Sequence, residues 1–301
     1  MSITEAIGRT KTVRLKEIEK RFRLGCEIYA KAELMNPGGS IKDRAALAIL
    51  EGERKRGMLS DGGSIITATS GNFGIALAML SAHYGYKARI VMPSSASEER
   101  RRLVRAYAGE VILTDKGMSE AIRAAEKMAR EDGNVYIDQF AMREGVVCHF
   151  SGTGGELWAD MQSNIDIFAT GVGTGATLSG VGAFLKSQKK NIRIIGVEPS
   201  ESAVISGGEA GIHGIDGIGA GFVPPLYDAN VVDEVIAVPT CEAVEYMIEL
   251  ARTEGIFAGI SSGASLAAII DICKREGLKE KRIAFILSDR GERYFSRGVI
   301  D

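Results

Sequence analysis

The stretch DIFATGVGTGATLSGVGAFLK, residues 166–186, carries no charge between Ile167 and Leu185, and two structures compete for it. By length alone such a run approaches a membrane span. Five glycines inside it favour the alternative: DIFAT is short and β-prone, GVGTGAT is a loop, and the residues from Thr177 to Lys186 have helical spacing. Strand, glycine loop and helix in that order make one unit of an α/β sheet.

The unit recurs along the chain. SIITA leads into a helix over 72–84, ARIVMP into one over 98–107 and EVILT into one over 119–131, with VYIDQF as a further strand. Downstream lie RIIGVEP, a glycine-rich loop, EVIAVP with a helix over 241–254, FAGIS with a helix over 264–276, and RIAFILSD. Strands alternating with helices in this way predict parallel sheets covered on both faces. Two runs predict an α/β protein of two doubly wound open-sheet lobes, one over 1–145 and a larger one over 146–301, with residues near 11–35 free to pack on the larger. The seam is expected near Gly145, ahead of a helix around 154–162, although no Pro- or Ser-rich linker marks it.

Composition narrows the function. Lys plus Arg number 37 against 39 Asp plus Glu in 301 residues, a net charge of -2 that offers no field for nucleic acid or an anionic membrane. A small neutral or zwitterionic ligand fits better. Cys26, Cys148, Cys241 and Cys273 form no CxxC pair, and His83, His149 and His213 are scattered, so no metal site is read. The N-terminal segment lacks the apolar core of a secretory signal, and scattered thiols suit a reducing cytoplasm.

Ligands of open α/β sheets collect beyond the carboxyl ends of strands. Two loops there are suited to anions. TSGN, 69–72, follows SIITA and offers hydroxyls and an amide at a helix start, enough for a carboxylate. GVGTGAT, 171–177, lets backbone N–H groups converge on a phosphate. The latter also matches GxGxxA at Gly171, Gly173 and Ala176, which keeps a nicotinamide-dependent dehydrogenase as a distant alternative. The acidic residue such a site wants about 20 positions on would be Glu198, 27 past Gly171. In NPGGSIKDR, 36–44, Lys42 sits between a glycine turn and an apolar helix, either as a chance neighbour of Ser40 as N-cap and Asp43, or as a reactive amine. An amine, a phosphate cradle and a carboxylate cradle together point to pyridoxal 5'-phosphate acting on an amino acid.

With NPGGSIKDR, TSGN, DQF at 138–140, GVGTGAT, GVEP at 196–199, GIGAGFVP at 217–224, EGIFAGISSGAS at 254–265 and SDRGERY at 288–294 in family order, the chain resembles the cysteine synthases, the O-acetylserine sulfhydrylases. Its DRGERY ending looks most like the B-type isozyme. The resemblance implies fold type II of the pyridoxal phosphate enzymes, related to the tryptophan synthase β chain, with a mobile substrate-binding lobe and a phosphate-binding lobe. It implies Lys42 as Schiff-base lysine and Asn72 as partner of the cofactor's ring hydroxyl. Gly173, Thr174, Gly175, Ala176 and Thr177 would hold the phosphate, and Ser261 would face the pyridine nitrogen. Thr69, Ser70, Gly71 and Gln139 would grip the substrate carboxylate; Ser261 also reads as a helix N-cap. The implied reaction makes L-cysteine from O-acetylserine and sulfide through an α-aminoacrylate. The alternatives are β-lyase or β-replacement chemistry on cysteine, serine or O-phosphoserine that releases hydrogen sulfide or forms lanthionine, cyanoalanine or diaminopropionate. A cytoplasmic homodimer is expected; a serine acetyltransferase partner is left open without being implied. Departures are Lys11, Phe73, Ala176 and the QFAMREG segment, where Arg143 reads either as half of a solvated pair with Glu144 or as a fork for an anionic group.

Overall fold

The computed structural model describes residues 2–131 and 134–299. Two sheets frame it. A six-stranded sheet runs in the order β1 (Thr12–Arg14), β2 (Gly25–Lys31), β10 (Lys279–Ile286), β7 (Ile167–Gly171), β8 (Arg193–Pro199), β9 (Glu234–Val238). A four-stranded sheet runs β5 (Glu110–Thr114), β4 (Lys87–Pro93), β3 (Ser64–Ala68), β6 (Asn134–Tyr136). Among the described residues the pairings are parallel except β1 with β2.

Central strands in such sheets are apolar because both faces are covered. Ile65, Ile66 and Ala68 of β3, and Ile167, Phe168 and Ala169 of β7, are buried accordingly. The helix Asn72–Tyr84 is buried without interruption from Phe73 to Ser81 and ends at Gly85, whose φ of +78° makes it a left-handed cap. The helix Ile260–Arg275 crosses the helix Thr240–Glu254 so closely that a Cβ on Gly263 would lie 2.0 Å from the Ala243 carbonyl oxygen. No helix of the described residues is long and apolar enough to cross a membrane, so the 166–186 run is strand, loop and helix.

Two local expectations are corrected. FAGIS forms no strand: Ala258 makes an isolated bridge to Arg290, Gly259 caps, and the helix begins at Ile260, earlier than expected. The short β-prone run is the entry to a buried helix, and periodicity does not separate the two. The helix expected over 154–162 begins at Glu144, runs through a π-helical turn, His149–Gly154, and continues over Gly155–Asp160. Within the segment near 11–35, expected to pack on the larger lobe, lie β1 and β2, which join the six-stranded sheet.

An ionic knot ties β2, the helix Lys42–Lys55 and the helix Gly155–Asp160. Arg44 is forked between Glu33, at 2.7 and 2.8 Å, and Glu156, at 2.7 Å, while Lys31 Nζ reaches Glu156 and Asp160 at 3.0 Å. Arg44 follows Lys42 by two residues, so the knot fixes the start of the lysine's helix.

Candidate active site

Two adjoining cavities open beyond the carboxyl ends of β3 and β7. They share Lys42, Asn72, Gly173 and Thr174 and the segment Asp216–Ile218. The first is lined further by Gly175, Thr177 and Ser261, the second by Thr69, Ser70, Gly71, Phe73 and Gln139. Of the residues singled out in the sequence, Ala176 alone among those of the phosphate loop and substrate turn lines neither; it is buried behind the loop, its N–H directed at Thr174 Oγ1 at 3.3 Å.

Lys42 opens its helix, and Ser40 Oγ accepts a hydrogen bond from its N–H at 3.3 Å. The residue keeps some surface open to the cavities, yet its amine lies deep, and burial lowers its pKa to about 8 against the smaller opposing pull of Cys148 and Asp289. Beside it the Asp43 carboxyl is pushed up to about 7 by burial, although it accepts the Gly38 N–H and feels Arg293; its Oδ1 has no partner.

The phosphate loop is shaped by close backbone approach. A Cβ on Gly173 would lie 2.3 Å from the Gly217 carbonyl oxygen, and Gly175, at φ +84°, abuts the Tyr227 N–H, where a Cβ would come within 2.5 Å. Gly175 leads into the helix Ala176–Gln188, whose N-terminus faces the first cavity. Across the cleft, Gly71 N–H donates to Thr69 Oγ1 at 3.1 Å, and Gln139 Nε2 donates to the Ala68 carbonyl at 3.2 Å, which fixes the amide beside the TSGN turn.

Asn72 is clamped on both atoms: Nδ2 donates to Asp289 Oδ2 at 2.7 Å, and Oδ1 accepts from Arg293, which also donates to the Gly38 carbonyl. Tyr294 donates to the same Asp289 oxygen at 2.8 Å. Ser261 lies inside its helix, with Gly259 as the cap, so its side chain faces the cavity and the capping reading is set aside. The dinucleotide reading loses its acidic residue, because Glu198 is buried and accepts from the backbone of Ile205 and Ser206 at 2.8 and 3.0 Å. Arg143 is exposed at the start of the helix Glu144–Cys148 and lines neither cavity, while Glu144 pairs with Arg56. The inward face of that helix is Gly145.

Four residues without a role in the sequence analysis act here: Asp289 and Arg293 clamp Asn72 without lining either cavity, while Asp216 and Arg100 line the second. SDRGERY was a signal for the first two; nothing local marked the others.

A family model described as pyridoxal-phosphate dependent enzyme matches residues 3–289. The chain belongs to the pyridoxal-phosphate-dependent enzyme family. It is 42% identical over 298 residues to a protein named cysteine synthase from Staphylococcus aureus, covering 98% of this chain and 95% of that one. The crystal structure of a cysteine synthase from Entamoeba histolytica superposes with a TM-score of 0.94 at 39% identity, over 99% of this chain and 90% of that one. A hydrogen sulfide-producing enzyme from Fusobacterium nucleatum gives 0.94 at 39% identity, over 97% and 99%. An O-ureido-L-serine synthase gives 0.93 at 37% identity, over 99% and 94%. The two-sheet architecture is fold type II of this family.

The residues present fit the family's cofactor. Gly173 and Gly175 let the loop lie against the backbone of Gly217 and Tyr227, the helix N-terminus that follows favours a phosphate, and an amine whose pKa is lowered to about 8 suits an aldehyde.

Proposed function

We propose that the protein is a cysteine synthase, a transferase that makes L-cysteine from O-acetylserine and sulfide with pyridoxal 5'-phosphate. One observation carries the reading: Lys42 lines both cavities, between a loop suited to phosphate and a turn suited to carboxylate. Gly173 to Thr177 would hold the phosphate, Asn72 the ring hydroxyl, and Ser261 the side of the pyridine nitrogen. When bound, the cofactor supplies an aldehyde that captures amines and a ring that takes up negative charge.

The chain's own residues do the remainder. Thr69, Ser70, Gly71 and Gln139 hold the substrate carboxylate and so aim the α hydrogen at Lys42. Lys42 Nζ takes that proton as acetate departs and returns it to the same carbon after sulfide has added. Ser261 is a neutral hydroxyl, which favours charge on the substrate carbons over complete transfer into the ring. Residues 1–145, apart from β1 and β2, form the mobile substrate lobe in this reading, and 146–301 the cofactor lobe.

A homodimer is proposed as well, because Val147 and Phe150 lie exposed along one helical stretch, 62% and 39% open. A cytoplasmic location suits the four free cysteines. Light scattering tests the first.

The enzymatic test is purified protein loaded with pyridoxal phosphate. A yellow chromophore abolished by borohydride, together with cysteine formed from O-acetylserine and sulfide, supports the proposal. A loaded enzyme that instead releases sulfide from cysteine faster than it makes cysteine supports the β-lyase reading, the direction suggested by the hydrogen sulfide-producing relative.

A further inference from the structure

Arg100 belongs to the helix Glu98–Ala106 and is turned inward, 2% exposed, whereas Arg102 and Arg105 face solvent. It lines the second cavity and lies against the TSGN turn: a Cβ on Gly71 would fall 2.7 Å from its Cδ and Nε. Nη1 donates to Asp216 Oδ2 at 2.6 Å, Nη2 stands 4.0 Å from Asp289 Oδ2, and the Tyr294 ring lies 4.9 Å from the guanidinium carbon. Nε is buried and has no partner. Asp216 is held in turn by Arg297 Nη2 at 2.9 and 3.0 Å. It leads into Gly217, the residue whose carbonyl abuts Gly173. One ion pair thus joins the turn assigned to carboxylate with the loop assigned to phosphate.

Buried polar groups are nearly always hydrogen-bonded, and an unpaired guanidinium N–H packed against the substrate turn, on a side chain that lines the cavity, is suited to an anion. We propose that Arg100 is a specificity residue for the carboxylate of the amino-acid substrate, and that Asp216 sets how much of its charge is available. This rests on the amino-acid reading of the cleft given above. The carboxylate, seated at the TSGN turn, accepts from Arg100 Nε. Asp216 draws on the same guanidinium through Nη1, so the two residues act on substrate binding with opposite sign.

That opposition is what the experiment reads. Spectral titration of the pyridoxal phosphate-loaded protein with L-serine and with L-serinamide gives the preference for acid over amide as a ratio of Kd values. Arg100→Gln is expected to lower the preference about tenfold or more, the scale of a charge-assisted hydrogen bond, and Arg100→Lys to restore part of it. Asp216→Asn, which leaves Arg100 less neutralised, is expected to raise the preference by about threefold. A purely structural role would lower it in both. Arg100→Gln within twofold of wild type, or Asp216→Asn below wild type, overturns the proposal; if Arg100→Gln does not fold, Asp216→Asn decides alone. A wild-type protein that takes up no cofactor sinks the amino-acid reading and this inference with it, whereas a loaded protein with unchanged preferences sinks this inference only.

Discussion

An amine adds to an aldehyde only when neutral, and burial holds Lys42 near a pKa of about 8 instead of its ordinary 10.5. Capture of pyridoxal phosphate by the apoprotein is therefore expected to quicken as pH rises through about 8, followed by stopped-flow absorbance; a flat profile from pH 6 to 9 would contradict it. Lys42→Ala should keep its fold and lose turnover, since no neighbour replaces the amine; near wild-type rates without added amines would remove the central claim. Asp43 makes the opposite case for an acid. Its folded pKa, about 7, lies above the ordinary 3.8, so the cost of ionising it in the interior is absent below about pH 4, grows up to pH 7 and is constant above. Asp43→Asn, which retains an acceptor for the Gly38 N–H, is expected to be about 1–2 kcal/mol more stable than wild type at pH 8 in urea denaturation, with the gain vanishing near pH 4. Lys42 was legible in the sequence because its glycine turn and apolar helix lie next to it. The clamp on Asn72 was not, because Asp289 stands 217 residues away and only folding makes them neighbours.

At the scale of elements, the phosphate loop depends on what its glycines touch. The Gly173 Cβ would meet a backbone carbonyl, which cannot swing aside as a side-chain tip can. Gly173→Ala is expected to weaken pyridoxal phosphate binding at least about tenfold and to cost about 1–3 kcal/mol of stability, read by fluorescence titration and denaturant melts. An alanine variant that binds and melts as wild type would show that Gly217 yields. The strands from β3 onward could be read from the sequence because buried parallel strands are apolar runs between turn residues. β1, TVR, could not, having one apolar residue between polar ones, and β2, GCEIYAK, mixes charged with apolar residues. FAGIS misleads for the reverse reason: its β-prone residues form the approach to a helix.

For the whole molecule, the two sheets meet at the cleft and again at the C-terminal turn Gly291–Arg297. There Ser296 donates to Glu99 at 2.8 Å through its N–H and 2.6 Å through its hydroxyl, and Ser97 donates to the Arg293 carbonyl at 3.1 Å. An amino-acid substrate touching both sides is expected to draw the lobes together and exclude water. Small-angle scattering of the loaded protein should show a smaller radius of gyration with the amino acid present; identical curves would refute closure. The strand order carries another consequence, for synthesis. The last strand made among the described residues, β10, lies between β2 and β7 and not at an edge. The four-stranded sheet draws its strands from one continuous stretch of chain and has them all in hand early. The six-stranded sheet stays split until β10 has left the ribosome, with β2 and β7 presenting bare edges to each other across the missing strand. Such edges invite pairing with other chains. The interval before β10 emerges is thus the time at which a nascent copy is most exposed to aggregation and to the chaperones that prevent it.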